Sequence, residues 1–316
     1  MKTGAGMSGF CEVGAVVGQG TLAGALVSQG VLDEGISGEF APGGEDEMNY
    51  GEILLAPFIF QDDVIHAVGG LDEARRANEK TDRAVKKLNL SLNQDKTTFL
   101  IIGSRKQKQE VLKELEEKPL MCGEFKTQMK PCFKWLGQTL SEGGLSESVS
   151  ATVESRLGKI RGACLEIAQI INDWRSQAIG GMDTALLLWE SCCIPSLLHG
   201  AGTWTDILKI TEKKLNQLQS WFCRLILQVG QGAPLVSMSW DLNLLDMYLR
   251  VMIEKVMLVL YIRNLEEDTL ARKIYEEQKK YCWPGLAQET KLICQELHIE
   301  DVNDTQEGRI SYKKLI

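Results

Sequence analysis

No apolar run in this chain approaches the roughly 18 residues that a membrane-spanning helix needs; Val256–Ile262 is the longest strong candidate. The opening Met1-Lys2-Thr3-Gly4-Ala5-Gly6 has no hydrophobic core ahead of a small-residue cleavage site, so no secretory signal is expected there. Paired Cys-x-x-Cys spacing is missing as well. The nine cysteines are odd in number and scattered, which favours reduced thiols in an intracellular protein over a disulfide frame, without separating nucleus from cytoplasm. Bases are scarce at the front, where Lys2 is the only Lys or Arg before Arg75. No Gly-Lys-Ser/Thr follows the early glycines, which excludes a phosphate loop. No internal repeat or cofactor box is found either.

What is present suits a soluble globular protein of one large domain or two ordinary ones, with 316 residues, 44% hydrophobic and 25% charged. The net charge of −8 argues weakly against general nucleic-acid binding. Its distribution says more. The acidic front is followed by a segment from Arg75 to Lys134 in which bases predominate, among them Arg76, Lys80, Arg83, Lys86, Lys87, Lys96 and Arg105. An acidic centre beside a basic segment suits a polymerase-like site; ordinary solvated helices account for it equally.

The chain is organised around Phe58-Ile59-Phe60-Gln61-Asp62-Asp63-Val64-Ile65. Short runs rich in Ile, Val and Phe flank two adjacent carboxylates, a pattern that predicts strand, acidic tip, strand. Like charges side by side repel unless water or a cation relieves them. A hard cation such as Mg²⁺ takes oxygen ligands, so one reading is a metal-holding hairpin for phosphoryl transfer. The other is a solvated turn, since Asp is common in turns.

Ahead of the hairpin, the glycine-dense opening reads as loop, with Val17-Gly18-Gln19-Gly20 leading into a helix through Leu22 and Leu26. After Gly69-Gly70 a helix is expected over Leu71–Leu88. An extended piece and turn (Leu90–Lys96), a strand ended by Gly103, a charged helix over Lys106–Lys118 and a β element over Phe133–Leu140 follow. Composition changes at Gly143-Gly144, taken as a domain boundary. Beyond it lies a long amphipathic helix with the stripe Leu145, Val149, Val153, Leu157, Ile160, Cys164, Ile167, Ile171 and Trp174. A second helix over Met182–Ile194 is expected to stop at Pro195. A third should be capped by Thr211 and a fourth, running to about Leu265, by Ser239. Cys192 and Cys193 near His199 could suggest zinc, but adjacent Cys on a Leu-rich helix read as core.

The order of these motifs carries a resemblance. A Gly-Gln-Gly turn, a hydrophobic-Asp-Asp hairpin, a helix, Asn93-x-x-Lys96-Thr97, a strand and Trp135-Leu136-Gly137 together resemble the palm of a reverse transcriptase, nearest to polymerases of retrotransposons without long terminal repeats. The resemblance covers roughly Val13 to Leu140. It implies an α+β fold: a partial palm over 1–142, thumb-like helices over 143–299 and a flexible tail over 300–316. It also implies RNA-templated DNA synthesis with Mg²⁺, an RNA template and a DNA primer as partners. By that likeness Gln19 and Gly20 lie by the nascent base pair, and Phe60 belongs to the aromatic-x-Asp-Asp box. Asp62 is the metal ligand, with Asp63 as auxiliary carboxylate and metal partner. Lys96 protonates the leaving pyrophosphate, and Trp135 and Gly137 grip the primer end. Read without the family, Lys96 is a surface partner of Asp95 and Trp135 plain packing.

The departures matter too. Ala23-Gly24-Ala25 stands where the family has Ser-Pro, and no strand-borne first Asp is found upstream of Gln19. Two-metal transfer needs two separated carboxylate-bearing elements. The chain is therefore expected not to polymerise by itself, and an upstream polyprotein portion is expected to supply the fingers and first Asp. The alternative is a non-catalytic remnant or co-opted helical module that binds RNA or protein.

Overall fold

The computed structural model describes residues 48–50, 53–55, 58–60, 63–175, 181–205, 207 and 209–296. The helix expected after Gln19-Gly20 and the tail at 300–316 lie outside them. Helices and short sheets mix, so the chain is α+β in the broad sense. It divides into two compact units after Lys130. The composition change at Gly143-Gly144 is therefore not the division: hairpin 132–141 belongs with the helices because its outer edge bonds to one of them.

In the first unit, β1 (Met48–Tyr50) pairs antiparallel with β2 (Ile53–Leu55), and β3 (Phe58–Phe60) with β4 (Asp63–Ile65). Helix α1 (Leu71–Lys87) has Asp72 and Glu73 in its first turn and Lys86 and Lys87 in its last, which complements the helix dipole at both ends. Its buried face is small: Ala77, Thr81, Ala84 and Val85. Small side chains let neighbours come close, and Val64, Val68 and Leu88 pack on Ala77 and Ala84. Two-residue β5 (Thr98–Phe99) pairs parallel with β8 (Gln128–Met129), shorter than the strand expected up to Gly103. Helix α2 (Arg105–Glu117) starts at a Ser104/Gln107 capping box and has no buried residue. Strands β6 (Met121–Cys122) and β7 (Phe125–Lys126) form a hairpin against α1, where Asn78 Nδ2 donates to the Met121 carbonyl (2.9 Å).

The second unit opens with β9 (Cys132–Trp135) and β10 (Gln138–Ser141), antiparallel. Helix α3 (Leu145–Arg175) buries Val149, Val153, Leu157, Ile160, Cys164 and Ile167, the stripe expected from its three- and four-residue steps. Leu145, expected to begin that stripe, is exposed instead. Next come α4 (Gly181–Leu188), a π-helical turn over Trp189–Cys193 and α5 (Ile194–Leu198). Pro195 does not stop the helix. It sits in the first turn of α5, just past the π turn, and a widened turn relieves the clash that a proline makes with the preceding one.

Helix α6 (Lys209–Leu227) begins before Thr211, which is fully buried inside it rather than capping it. After α7 (Leu235–Asp241), α8 (Met247–Arg263) is capped by Asp246, whose carboxylate accepts from the Tyr248 and Leu249 amides. Ser239 cannot cap α8, since it lies within α7 with its hydroxyl facing Gln219 Nε2 at 3.2 Å. Helices α9 (Leu270–Tyr281) and α10 (Leu286–Glu296) follow. One apolar core joins α3 to α8 around Trp189, whose ring stacks on Phe222 (centroids 4.2 Å, planes 12° apart).

Candidate functional site

The expected acidic hairpin forms, with Asp63 inside its second strand rather than at the tip. Phe60 at the end of β3 pairs with Asp63 at the start of β4. Asp62, the expected metal ligand, lies outside the described residues, as do Gln19 and Gly20. Asp63 opens β4 with an exposed side chain. Among the described residues no group of three or more His, Cys, Asp or Glu is placed to hold a metal ion. Mg²⁺ calls for near-octahedral oxygen ligation. Of the two carboxylates expected to serve it, only Asp63 is among the described residues, and one carboxylate does not complete that shell.

Three residues beyond Asp63, His66 anchors the hairpin to α1. Its Nε2 lies 2.9 Å from the Thr81 hydroxyl, which itself donates to the Ala77 carbonyl at 2.9 Å. With the hydroxyl hydrogen committed there, Nε2 carries the proton and donates to Thr81. Burial lowers the His66 pKa to about 4, so the ring stays neutral. Nothing in the sequence pattern singles out this histidine, because its partner is fifteen residues away on another element.

Lys96 lies elsewhere in the first unit, and its motif has a local explanation. The Asn93 side-chain oxygen accepts the amides of Asp95 (3.0 Å) and Lys96 (3.2 Å). The Asn93 carbonyl accepts the Thr97 amide (2.9 Å) and hydroxyl (2.8 Å). Asn and Thr at this spacing close a turn on themselves, and Lys96 is exposed on it. Asp95 and Lys96 form no ion pair with each other. The basic stretch on α1 borders an open cleft of about 640 Å³ in which Arg75, Arg76, Arg83 and Lys86 alternate with Asp72, Glu79 and Asp82. Arg75 is paired with Asp72 (2.9 Å) and Glu114 (2.6 Å), and Lys86 with Asp82 (2.7 Å). Bases and acids are therefore mixed along the cleft, with an excess of one base over the acids.

Trp135 and Gly137 sit in the second unit, at the tip of the β9–β10 hairpin. Trp135 is half-buried opposite Gln138, and the two connecting residues, Leu136 and Gly137, both have positive φ (47° and 77°). That is the I′ geometry matched to strand twist, for which glycine at the second position is favoured. The outward edge of β10 meets α3 in three steps. The Ser141 amide donates to Ser148 Oγ (2.8 Å) and the Thr139 amide to Thr152 Oγ1 (2.8 Å), and Arg156 donates to the Gly137 carbonyl (2.7 Å). Two residues of strand advance about 6.6 Å and four of helix about 6.0 Å, so these spacings keep step. Arg156 also donates to the carbonyls of Leu197 (2.9 Å) and His199 (2.8 Å) and lies 5.8 Å from the Trp204 ring centroid. Gln138 donates to the same His199 carbonyl (2.7 Å) and accepts from Trp204 Nε1 (3.1 Å).

Sequence reasoning missed Arg156 and Gln138. The only local signal was the four-residue spacing of Ser148, Thr152 and Arg156 on an otherwise apolar stripe. Of the suspected zinc ligands, Cys193 is buried core as expected, whereas Cys192 and His199 are exposed. No protein-family model, no curated protein and no solved structure matches this chain.

Proposed function

We propose that the chain carries part of the palm and the thumb-like helices of a reverse-transcriptase-type polymerase of retrotransposon origin. The observation that carries the reading is the acidic hairpin. Phe60 pairs with Asp63 across the antiparallel strands β3 and β4, so the first and last residues of the aromatic-x-Asp-Asp box are partners in one hairpin. Further support comes from the motif order along the chain, with the self-closed turn bearing Lys96 and the tight hairpin bearing Trp135 and Gly137.

On this reading Asp62 and Asp63 contribute to a Mg²⁺ site together with an acidic residue from another element. The chain by itself binds a primer–template duplex without extending it. Primer extension by the chain joined to its upstream reading frame tests this: product is expected, and it should vanish in Asp62→Ala. Absence of product, or product indifferent to that change, overturns the reading. For the isolated chain, duplex affinity that falls steeply with salt is expected. Complete lack of duplex binding instead favours a helical module with protein partners.

A further inference from the structure

Arg156 is a buried cation whose contacts are carbonyl oxygens rather than a carboxylate. Burying a charge is costly unless its hydrogen bonds are met. Here one guanidinium spans two pieces of backbone far apart in sequence: the tip of the β9–β10 hairpin at Gly137, and the end of α5 at Leu197 and His199. The His199 carbonyl takes a second bond from Gln138, so the tip is tied down by the neighbouring Gly137 and Gln138 together. The guanidinium presents its donors in a rigid planar fork from two separate nitrogens, whereas an ammonium offers three donors from a single atom on a flexible stem. Leu136, just ahead of these ties in the chain, remains 38% exposed, so the clamp holds the tip from behind and leaves its outer edge open.

We infer that Arg156 is the positioning residue that sets the pose of the Trp135-Leu136-Gly137 tip on the helical unit, and through that pose the affinity of the tip for a primer–template duplex. The second half rests on the polymerase reading of this hairpin.

The test compares the full chain with Arg156→Gln, Arg156→Lys and Thr152→Val by two measurements: amide hydrogen exchange across 132–141, and anisotropy of a fluorescein-labelled RNA–DNA primer–template duplex. Arg156→Gln is expected to speed exchange at the tip by about tenfold or more, leaving α6 and α8 unchanged, and to weaken duplex binding by about tenfold. Arg156→Lys should recover part of both. Thr152→Val removes the acceptor of the Thr139 amide but keeps the guanidinium. It should loosen mid-strand amides while sparing the tip, so the comparison survives if Arg156→Gln does not fold. Unchanged tip exchange in a folded Arg156 variant, or faster exchange spread evenly over the unit, overturns the clamp. Duplex binding that Arg156→Gln leaves intact overturns the positioning role. A wild-type chain with no duplex affinity, but with a tip that loosens in Arg156→Gln, removes the polymerase reading of the hairpin and supports the clamp.

Discussion

Both hairpins that carry expected site residues pair an aromatic with the residue three positions on, Phe60 with Asp63 in one and Trp135 with Gln138 in the other, yet they are held by different chemistry. The acidic hairpin leans on α1 through a thin apolar seam, Val64 and Val68 on Ala77 and Ala84, plus one histidine–threonine bond. The Trp-Leu-Gly hairpin is pinned by directional bonds: two strand amides into helix hydroxyls, and a tip carbonyl into a buried guanidinium. A seam of small apolar side chains tolerates sliding. A ladder of hydrogen bonds at matched spacing does not. The first hairpin thus leaves its carboxylate-bearing end to solvent, whereas the second is a folded part of the helical unit beneath it.

The largest effect that bears on this contrast lies under the second hairpin. Phe222→Ala removes a fully buried ring stacked on Trp189 and should cost about 3–5 kcal/mol, read from guanidinium melts followed by tryptophan fluorescence. A loss below about 1 kcal/mol would mean that the core is not what supports the ladder.

The first hairpin should respond to acid. Because His66 has a folded pKa of about 4 against an ordinary 6.5, the unfolded chain binds more protons between those values. Its contribution is complete above pH 6.5 and fades as the pH falls toward 4, on the order of 2 kcal/mol for this half-buried ring. Urea melts at pH 7 and pH 4.5, in wild type and His66→Gln, should show a smaller pH-dependent loss in the variant. Equal losses in both would assign the acid sensitivity elsewhere.

At the second tip, Gly137→Ala places a Cβ in ordinary contact, 3.5 Å from His199 Nδ1, so its cost is backbone strain of about 1 kcal/mol. Leu136→Asn, which suits the same left-handed backbone better, should gain a few tenths of a kcal/mol, roughly. Thermal melts that reversed these signs would show that the tip is not strained as described. The smallest expected effect is at α2. Ser104→Ala removes a capping box worth about 1 kcal/mol to that helix. Because α2 buries nothing, the loss should appear as faster exchange at Gln107 and Lys108 without a shift in the global melt.

Much of the fold was legible because it is local. Helix α1 was expected over 71–88 and spans Leu71–Lys87; α2 was expected over 106–118 and spans Arg105–Glu117. The acidic hairpin followed from two short runs rich in Ile, Val and Phe, a β element was expected over 133–140 where β9 and β10 pair, and the α3 stripe followed from steps of three and four. The failures share one cause. Pro195 reads as a stop until the preceding turn is seen to widen, Thr211 reads as a cap until it is seen buried in α6, and Ser239 reads as a cap until its hydroxyl is found facing Gln219. Each depends on a neighbour outside the window that a residue's own pattern covers. The candidate site was legible only in part for the same reason. Phe60, Asp63, Lys96, Trp135 and Gly137 stand out as motif letters, whereas His66, Gln138 and Arg156 matter only through distant partners.

The sequence by itself determined where chains of like periodicity begin and end, which turns close on their own side chains, and that two carboxylates sit between apolar strands. Those features arise from bonds within a few residues, which survive in any tertiary setting. Only the tertiary structure decided that strand positions 137, 139 and 141 meet helix positions 156, 152 and 148, and that one arginine serves carbonyls 19, 41 and 43 residues away. Such contacts form once packing brings two elements to a common spacing, a match of rise per residue that neither segment encodes alone.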